Sequence, residues 1–188
     1  MMRPGALLYN PRPLKRRRIS RKQFNRRYAA IPKRLYPEMK QFVKSAMSTG
    51  STDMIHSDVP LDMTQGDAGD QFLGCKFRAW RLRVMYRIGT APARVFVLIP
   101  KDANIVTPPT PSTIEEPWPT DQFTVLADKC VGVDSTVKFG SFDVKLNLPV
   151  MMDKTGANVL RNNIIVGVLC IGAATASTCG YALWYTDH

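Results

Sequence analysis

The sequence of 188 residues contains few of the residues that most often carry catalysis or bind metals. Its two histidines, His56 and His188, lie far apart, and its only glutamates are Glu38, Glu115 and Glu116. No H-x-x-x-H, G-x-x-x-x-G-K or G-x-S-x-G motif occurs, so the zinc, phosphate-binding and nucleophile arrangements that these motifs support are absent as local signals. We therefore expect a protein that is not an enzyme and that holds no cofactor and no metal.

Long apolar stretches and cysteine patterns are also missing. The first thirty residues contain no uninterrupted apolar segment, and the longest apolar run, residues 164–174, is about half of the ~20 residues that a spanning helix needs. We expect neither a secretory signal nor a membrane-spanning helix. The cysteines form no C-x-x-C pair and show no regular spacing, which favours buried thiols in a reducing compartment. They are Cys75, Cys130, Cys170 and Cys179.

Acidic residues are nearly absent from the first quarter of the chain. Residues 1–44 hold fourteen Lys and Arg against one acid, a net charge of +13. Residues 45–188 hold twelve basic and fourteen acidic residues, a net of −2, and the two parts sum to the +11 of the whole chain. Concentrated positive charge on an extended segment indicates a polyanionic partner. We predict that residues 1–47 form a nucleic-acid-binding arm and residues 48–188 a folded domain.

The arm has the composition of a phosphate-binding segment. Arginine binds two phosphate oxygens at once and stays charged, and the interleaved aromatic residues can stack on unpaired bases. Its prolines and its charge repulsion oppose a long helix, so we expect it to be disordered when free. Residues 15–18 match a nuclear localisation signal, which would add the host nuclear import machinery as a partner. The predicted phosphate contacts are Arg12, Lys15, Arg16, Arg17, Arg18, Arg21, Lys22, Arg26, Arg27, Lys33 and Arg34.

The pattern after residue 75 is that of an all-β domain. Upstream of this pattern, apolar residues at helical spacing predict one short amphipathic helix over residues 36–47. Within it, a Pro-rich loop is predicted over residues 101–120. Short strands with almost no helical periodicity indicate an antiparallel sandwich or barrel. Two strand segments, 94–99 and 164–171, are apolar on both faces and should be covered on both sides. The other strands are predicted within 54–59, 80–87, 123–127, 130–133, 136–148 (with a break near residue 140) and 181–185.

A second set of cations lies in the first of the domain strands. Its period of two places Trp80, Leu82, Val84 and Tyr86 in the core and Arg81, Arg83 and Arg87 on the opposite face. We interpret this face as a second nucleic-acid-binding surface, and the alternative is a solvated face or pairing with Asp residues elsewhere. The second set is Lys76, Arg78, Arg81, Arg83 and Arg87, together with Arg94 at the start of the next strand.

Trp118 stands between two prolines in the Pro-rich loop. An aromatic side chain held exposed by such a loop would be a good anchor for a contact between subunits. Trp118 is therefore our candidate subunit-interface residue.

The order of these features resembles that of the capsid proteins of small circular single-stranded DNA viruses, the circovirus, nanovirus and geminivirus relatives. The resemblance implies a single eight-stranded antiparallel jelly roll and a closed icosahedral shell of about sixty copies. It also implies an arm that faces the packaged single-stranded DNA, and a location in the virion and, during infection, in the host nucleus. The segments that carry it are PLKRRRISRKQFNRR (13–27), FRAWRLRVMYRIGTAPARVFVLIPKD (77–102), FTVLADK (123–129), KFGSFDVKLNLP (138–149), NNIIVGVLCIG (162–172) and GYALWYTD (180–187).

Other readings of the sequence stay open. The coat protein of a small RNA or satellite virus would have the same arm, because phosphate contacts do not distinguish the strand type. A cellular nucleic-acid-binding module, of the ribosomal type or an OB barrel with a basic tail, usually carries positive charge on the domain too, and here the domain is at −2. A membrane partner is not expected, because the arm lacks an amphipathic helix with an apolar face.

Overall fold

The computed structural model describes residues 38–48, 54–66, 71–105, 107–132, 137–171 and 176–187. The chain divides into a unit Met1–Tyr36 and a unit Pro37–His188, and every described residue belongs to the second unit. The elements are β1 (Met39–Ser48), β2 (Met54–Asp58), α1 (Val59–Asp62), β3 (Lys76–Ile88), β4 (Ala93–Pro100), β5 (Phe123–Val131), β6 (Lys138–Met152), β7 (Val159–Arg161), β8 (Ile165–Cys170) and β9 (Thr178–Asp187). The predictions for the arm lie outside the described residues.

The strands form two antiparallel sheets with the connectivity of a jelly roll. One sheet has the order β1-β9-β3-β6-β7 and the other β2-β8-β4-β5. Apart from the short β7, the pairs are nested: β4 pairs with β5, β3 with β6, β2 with β8 and β1 with β9. A long hairpin wound into two sheets gives this pattern. The predicted fold class, an eight-stranded antiparallel jelly roll, is confirmed, and β7 is an additional strand that the sequence pattern did not predict.

The helix predicted over residues 36–47 is wrong, because most of this segment forms β1. β1 pairs with β9 from Met39 opposite Thr186 to Ser48 opposite Thr178, with a register shift between Lys44 and Met47. Apolar residues at 39, 42, 43 and 46 fit a helix, but pairing with β9 imposes a period of two instead. Residues 39–47, which we assigned to the arm, are thus part of the sheet.

Most of the other strands lie where the pattern predicted them, with two differences. The candidates at 123–127 and 130–133 fall largely within the single strand β5, and β6 continues through Gly140 without a break. At Gly140 the ring of Tyr86 occupies the space that a Cβ atom would need. The glycine therefore makes room for a cross-strand aromatic ring instead of ending the strand.

The core has two parts, one between the sheets and one on the outer face of the four-stranded sheet. The first includes side chains of β3, β4, β8 and β9, among them Leu82, Val97, Val166 and Tyr181. The second joins alternate residues of β4 and β8 to the loop after β4, and consists of Phe96, Leu98, Trp118, Phe123, Ile165 and Leu169. β4 and β8 are consequently buried on both faces, as their apolar runs predicted.

All four cysteines are free thiols, but they differ in exposure. Cys170 and Cys179 are buried, Cys75 is half-buried and Cys130 is exposed, so the prediction of buried thiols is wrong for Cys130. Burial raises the pKa of the Cys179 thiol to about 12. Within the part of the chain that the structure describes, no helix has the length and apolar character needed to cross a membrane.

Candidate nucleic-acid interface

A β-bulge in β3 determines which of its side chains lie on the outer face of the five-stranded sheet. Against β9, Ala79 lies opposite Tyr185 and Arg81 opposite Trp184, so Trp80 is an extra residue in β3. The alternation changes phase there: Ala79 is buried, Trp80 is 36% exposed, and Leu82 is again buried. The prediction that Trp80 enters the core is therefore wrong, whereas Leu82, Val84 and Tyr86 are buried as predicted.

The same bulge collects the cations of β3 on one face. In an unbroken strand, Lys76 and Arg78 would lie on the face opposite to Arg81, Arg83 and Arg87, because their positions differ by odd numbers. With the extra residue at Trp80, all of them alternate with buried neighbours and lie on the outer face of the five-stranded sheet. The structure thus brings these five cations together, whereas Arg94, the sixth predicted member, is buried on β4 of the other sheet and binds Asp128.

The neighbouring strand β6 adds one cation and one acid to this face. Lys145 lies opposite Arg81, and Asp143 opposite Arg83. The outward positions of β1 and β9, such as Gln41 opposite Trp184, carry no charged residue. On strands β1, β9, β3 and β6 the described outer face therefore has six cations and one acid, a net charge of +5.

Asp143 forms ion pairs with two of these arginines. Arg81 Nη2 lies 2.9 Å from Asp143 Oδ2, and Arg83 Nε lies 3.1 Å from Asp143 Oδ1. Hydrogen bonds donated by Arg81 and Arg83 hold the pKa of the Asp143 carboxyl well below its usual range, so the carboxylate stays ionised. The alternative of pairing with an Asp is thus correct for these two arginines, yet the three groups together keep one net positive charge.

Aromatic rings lie under three arginines of the same face. The guanidinium carbon of Arg78 lies 5.0 Å from the ring centroid of Trp80, that of Arg81 4.9 Å from Trp184, and that of Arg87 5.9 Å from Phe139. These are cation–π distances. The aromatic partners from β6 and β9 escaped the sequence argument, because it could not say which strands flank β3.

Two hydrogen bonds fix one of these stacks in place. Trp80 Nε1 donates to Thr186 Oγ1 at 3.0 Å, and Arg78 Nε donates to Asn147 Oδ1 at 2.8 Å. Phe139 differs, because its side chain is 76% exposed and is the most exposed of the large apolar residues described. The face thus combines an ordered cation–π pair, Arg78 on Trp80, with the exposed ring of Phe139.

Trp118 is not an exposed anchor. It is 4% exposed, and its ring lies 4.6 Å from that of Phe96 on the outer face of the four-stranded sheet. The guanidinium of Arg94 lies 4.8 Å from the Trp118 ring, and Arg94 also binds the Asp128 carboxylate and the Glu116 carbonyl. The structure contradicts the exposure on which the subunit-contact prediction for Trp118 depended, because the Pro-rich loop folds back over the sheet.

Two of the cations counted with the arm form ion pairs in the folded domain. Lys40 Nζ lies 2.8 Å from Asp187 Oδ2, and Lys44 Nζ lies 2.8 Å from Asp62 Oδ1. Because β1 contributes these pairs to the fold, the cations left for an external partner are those of residues 1–37. That segment holds twelve Lys and Arg and no acid.

The remaining predicted site residues, from Arg12 to Arg34, lie outside the described residues. Over the described ranges there is no group of three or more His, Cys, Asp or Glu side chains placed to hold a metal ion. The candidate site in the described residues is therefore the outer face of the five-stranded sheet.

No protein-family model matches the sequence, and no curated protein matches it either. Two solved structures of tobacco streak virus coat protein are similar to the fold. The dimer has a TM-score of 0.40 and 12% identity, with 79% of this chain and 85% of that chain covered. A second crystal form has a TM-score of 0.40 and 10% identity, with 82% and 90% covered.

The structure of the infectious bursal disease virus Gx strain has a TM-score of 0.32 and 9% identity, with 81% of this chain and 33% of that chain covered. TM-scores of this size define neither a family nor a function.

Proposed function

We propose that this chain is a viral capsid protein that self-assembles into an icosahedral shell and packages single-stranded DNA through its cationic N-terminal arm. One observation carries the proposal: the whole net positive charge of the chain precedes the first strand of a jelly roll. Residues 1–37 hold a net +12, whereas residues 38–188 hold fourteen basic and fifteen acidic residues, a net of −1. A near-neutral body can pack against copies of itself, while the arm neutralises a polyanion.

The number of positive charges that the arms would supply is sufficient for this role. With about sixty copies in the smallest shell, arms of +12 each would supply about 720 positive charges. At one charge per phosphate, that neutralises on the order of a kilobase of single strand. Contacts of this kind bind any sequence, because phosphates carry no base information.

In this account the protein has a structural role in the virion, and its partners are nucleic acid and further copies of itself. The cluster at residues 15–18 would give the protein access to the host nucleus, where a DNA genome would be replicated. No cofactor, metal or membrane enters the mechanism. The folded domain tiles the shell, and the arm binds the genome.

Two measurements test the proposal. Light scattering and electron micrographs of the purified chain should show closed particles of megadalton mass. The nucleic acid inside them should be degraded by a DNase specific for single strands, and should resist ribonuclease, once the particles are opened. Sensitivity to ribonuclease alone would replace the DNA genome by that of an RNA or satellite virus.

A cellular nucleic-acid-binding module is the second candidate, and the net charge of +5 on the outer face of strands β1, β9, β3 and β6 favours it. Such a module would stay a small species in light scattering at every salt concentration. A protein that binds nucleic acid but remains small would replace the capsid proposal by this one.

A further inference from the structure

We infer that the outer face of the five-stranded sheet is a second nucleic-acid site, which binds single strands by stacking their bases on Trp80, Arg78 and Phe139. The inference rests on the proposed function for the identity of the packaged polymer. It goes beyond that function by assigning base stacking to the folded domain. The cations predicted in the arm, by contrast, are contacts to phosphates.

The first reason is that the two sheets differ in what covers their outer faces. The outer face of the four-stranded sheet is closed by the chain's own loop, with Trp118 packed on Phe96. In the described residues no such loop covers the five-stranded sheet, where Trp80 and Phe139 are 36% and 76% exposed. Exposed aromatic rings on one sheet face indicate a binding surface.

The second reason is charge, which selects the occupant. Six cations against one acid on the outer face of strands β1, β9, β3 and β6 complement a polyanion and oppose the approach of an identical face from a second copy. Arginine over an aromatic ring offers a flat guanidinium on which a base can stack, and bare rings accept any base. Cations between aromatic rings are the arrangement that binds unpaired strands, whose bases are free to stack.

The third reason is the length of the face along β3. Trp80 and Arg87 are seven residues apart on one strand, which is about 23 Å. Phe139 lies opposite Arg87 on β6. An interval of this length accommodates about seven nucleotides at the ~3.4 Å spacing of stacked bases. Trp80 at one end and Phe139 at the other would hold the ends of this short segment.

The distribution of tryptophan allows the site to be tested in the full chain. Residues 1–37 contain no tryptophan, so the intrinsic fluorescence comes from Trp80, Trp118 and Trp184 in the domain alone. The protein is first freed of nucleic acid with nuclease and high salt. It is then titrated with an oligothymidylate of about twenty nucleotides, and separately with an abasic oligonucleotide that has the same number of phosphates.

We expect oligothymidylate to quench the fluorescence and the abasic strand to leave it unchanged, although the arm binds both. Trp80→Phe should remove a large part of the quenching. The phenylalanine ring can still stack on a base, but it contributes no tryptophan fluorescence that could be quenched. Trp118→Phe is the matched control and should keep the quenching, since Trp118 is 4% exposed. Equal quenching by the abasic strand, or quenching unaffected by Trp80→Phe, would overturn the inference.

An affinity measurement tests the other end of the site. Phe139→Ala should weaken oligothymidylate binding about tenfold, which is the usual loss for one stacked base. Val125→Ala, an exposed apolar truncation on the other sheet, should change it less than twofold. Unchanged affinity of Phe139→Ala overturns the inference. So does a variant that loses particle formation but keeps its affinity, because the face is then a contact between subunits.

The two proposals fail separately. If the fluorescence and affinity tests fail while particles still form and enclose nucleic acid, only the sheet site is lost. If no particles form but oligothymidylate still quenches Trp80, the sheet site stands and the capsid role is lost.

Discussion

The carboxylate of Asp143 lies 2.9 Å from the guanidinium of Arg81 and forms a second ion pair with Arg83. It is the one acid on the described outer face of strands β1, β9, β3 and β6. Asp143 therefore limits the positive potential of the face. It also orders two arginines on the surface that we assign to nucleic acid.

Asp143→Asn should strengthen the binding of single-stranded nucleic acid, because it raises the net charge of the face by one and leaves an amide that can still accept a hydrogen bond. The slope of log K against log salt should steepen by about one. Filter binding over a series of salt concentrations measures it. Asp121→Asn makes the same charge change in an exposed loop and should leave the slope nearly unaltered. Identical slopes for the two variants would speak against binding at the sheet.

The ion pair between the buried Arg94 and the partly exposed Asp128 should be important for the free energy of unfolding. Arg94 is 4% exposed and binds Asp128, so Asp128→Ala leaves a buried cation without its counter-charge, at a cost of about 2 kcal/mol because solvent reaches the carboxylate side of the pair. Adding Arg94→Met should recover more than half of that loss, because the unpaired charge is then removed. Denaturant unfolding of the three proteins checks it. If Asp128→Ala alone is as stable as the parent protein, water must reach the guanidinium of Arg94.

Replacing Gly167 in β8 by a residue with a side chain should destabilise the fold. A Cβ atom there would lie 2.7 Å from the backbone oxygen of Ile55 and would collide with the Phe96 ring. Gly167→Ala should lower the free energy of unfolding by about 2 kcal/mol through overpacking. At Gly132 a Cβ atom meets nothing within 4 Å, so Gly132→Ala should change the stability by less than about 1 kcal/mol. Equal melting temperatures for both variants would mean that Phe96 moves aside freely.

Asp58 and Asp153 should respond to pH in opposite directions. Burial raises the pKa of Asp58, against the hydrogen bond from Asn163, so its stabilising effect is present at low pH and is lost as pH rises through the raised value. Asp58→Asn should therefore melt higher than the parent at pH 7, by a margin that shrinks towards pH 4. Hydrogen bonds from Asn158 and Thr155 lower the pKa of Asp153 to about 2.

The contribution of Asp153 is consequently present above the unfolded value of about 3.9 and is lost as pH falls towards 2. Asp153→Asn should melt lower than the parent at pH 7 and equal to it near pH 2. Melting curves of the two variants from pH 2 to pH 7 measure both effects. Margins of the same sign for both variants would contradict these assignments.

The positions of most strands could be predicted from the sequence, because alternation and two-sided apolar runs are local signals. The apolar runs within β4 and β8 identified central strands, and the fold class followed from the many short strands. β1 could not be identified in this way. Its apolar spacing fits a helix, and only its pairing with β9 makes it a strand.

The site was predictable only in part, for reasons that involve neighbours in space. The cations of β3 were visible, but the bulge at Trp80 that turns Lys76 and Arg78 to the same face is a property of the β3–β9 ladder. Phe139 and Lys145 belong to the face because β6 pairs with β3. Trp118 between two prolines suggested an exposed ring, and the return of its loop onto Phe96 is a tertiary contact that no local pattern carries.

In the capsid proposal the segment before β1 packages nucleic acid while the domain builds the shell. Its most direct test compares the full chain with a chain that lacks residues 1–34, by particle mass and by the ratio of absorbance at 260 and 280 nm. We predict megadalton particles filled with nucleic acid for the full chain, and a folded domain without nucleic acid for the shortened one. Shells of the shortened chain with the full content of nucleic acid would contradict the account.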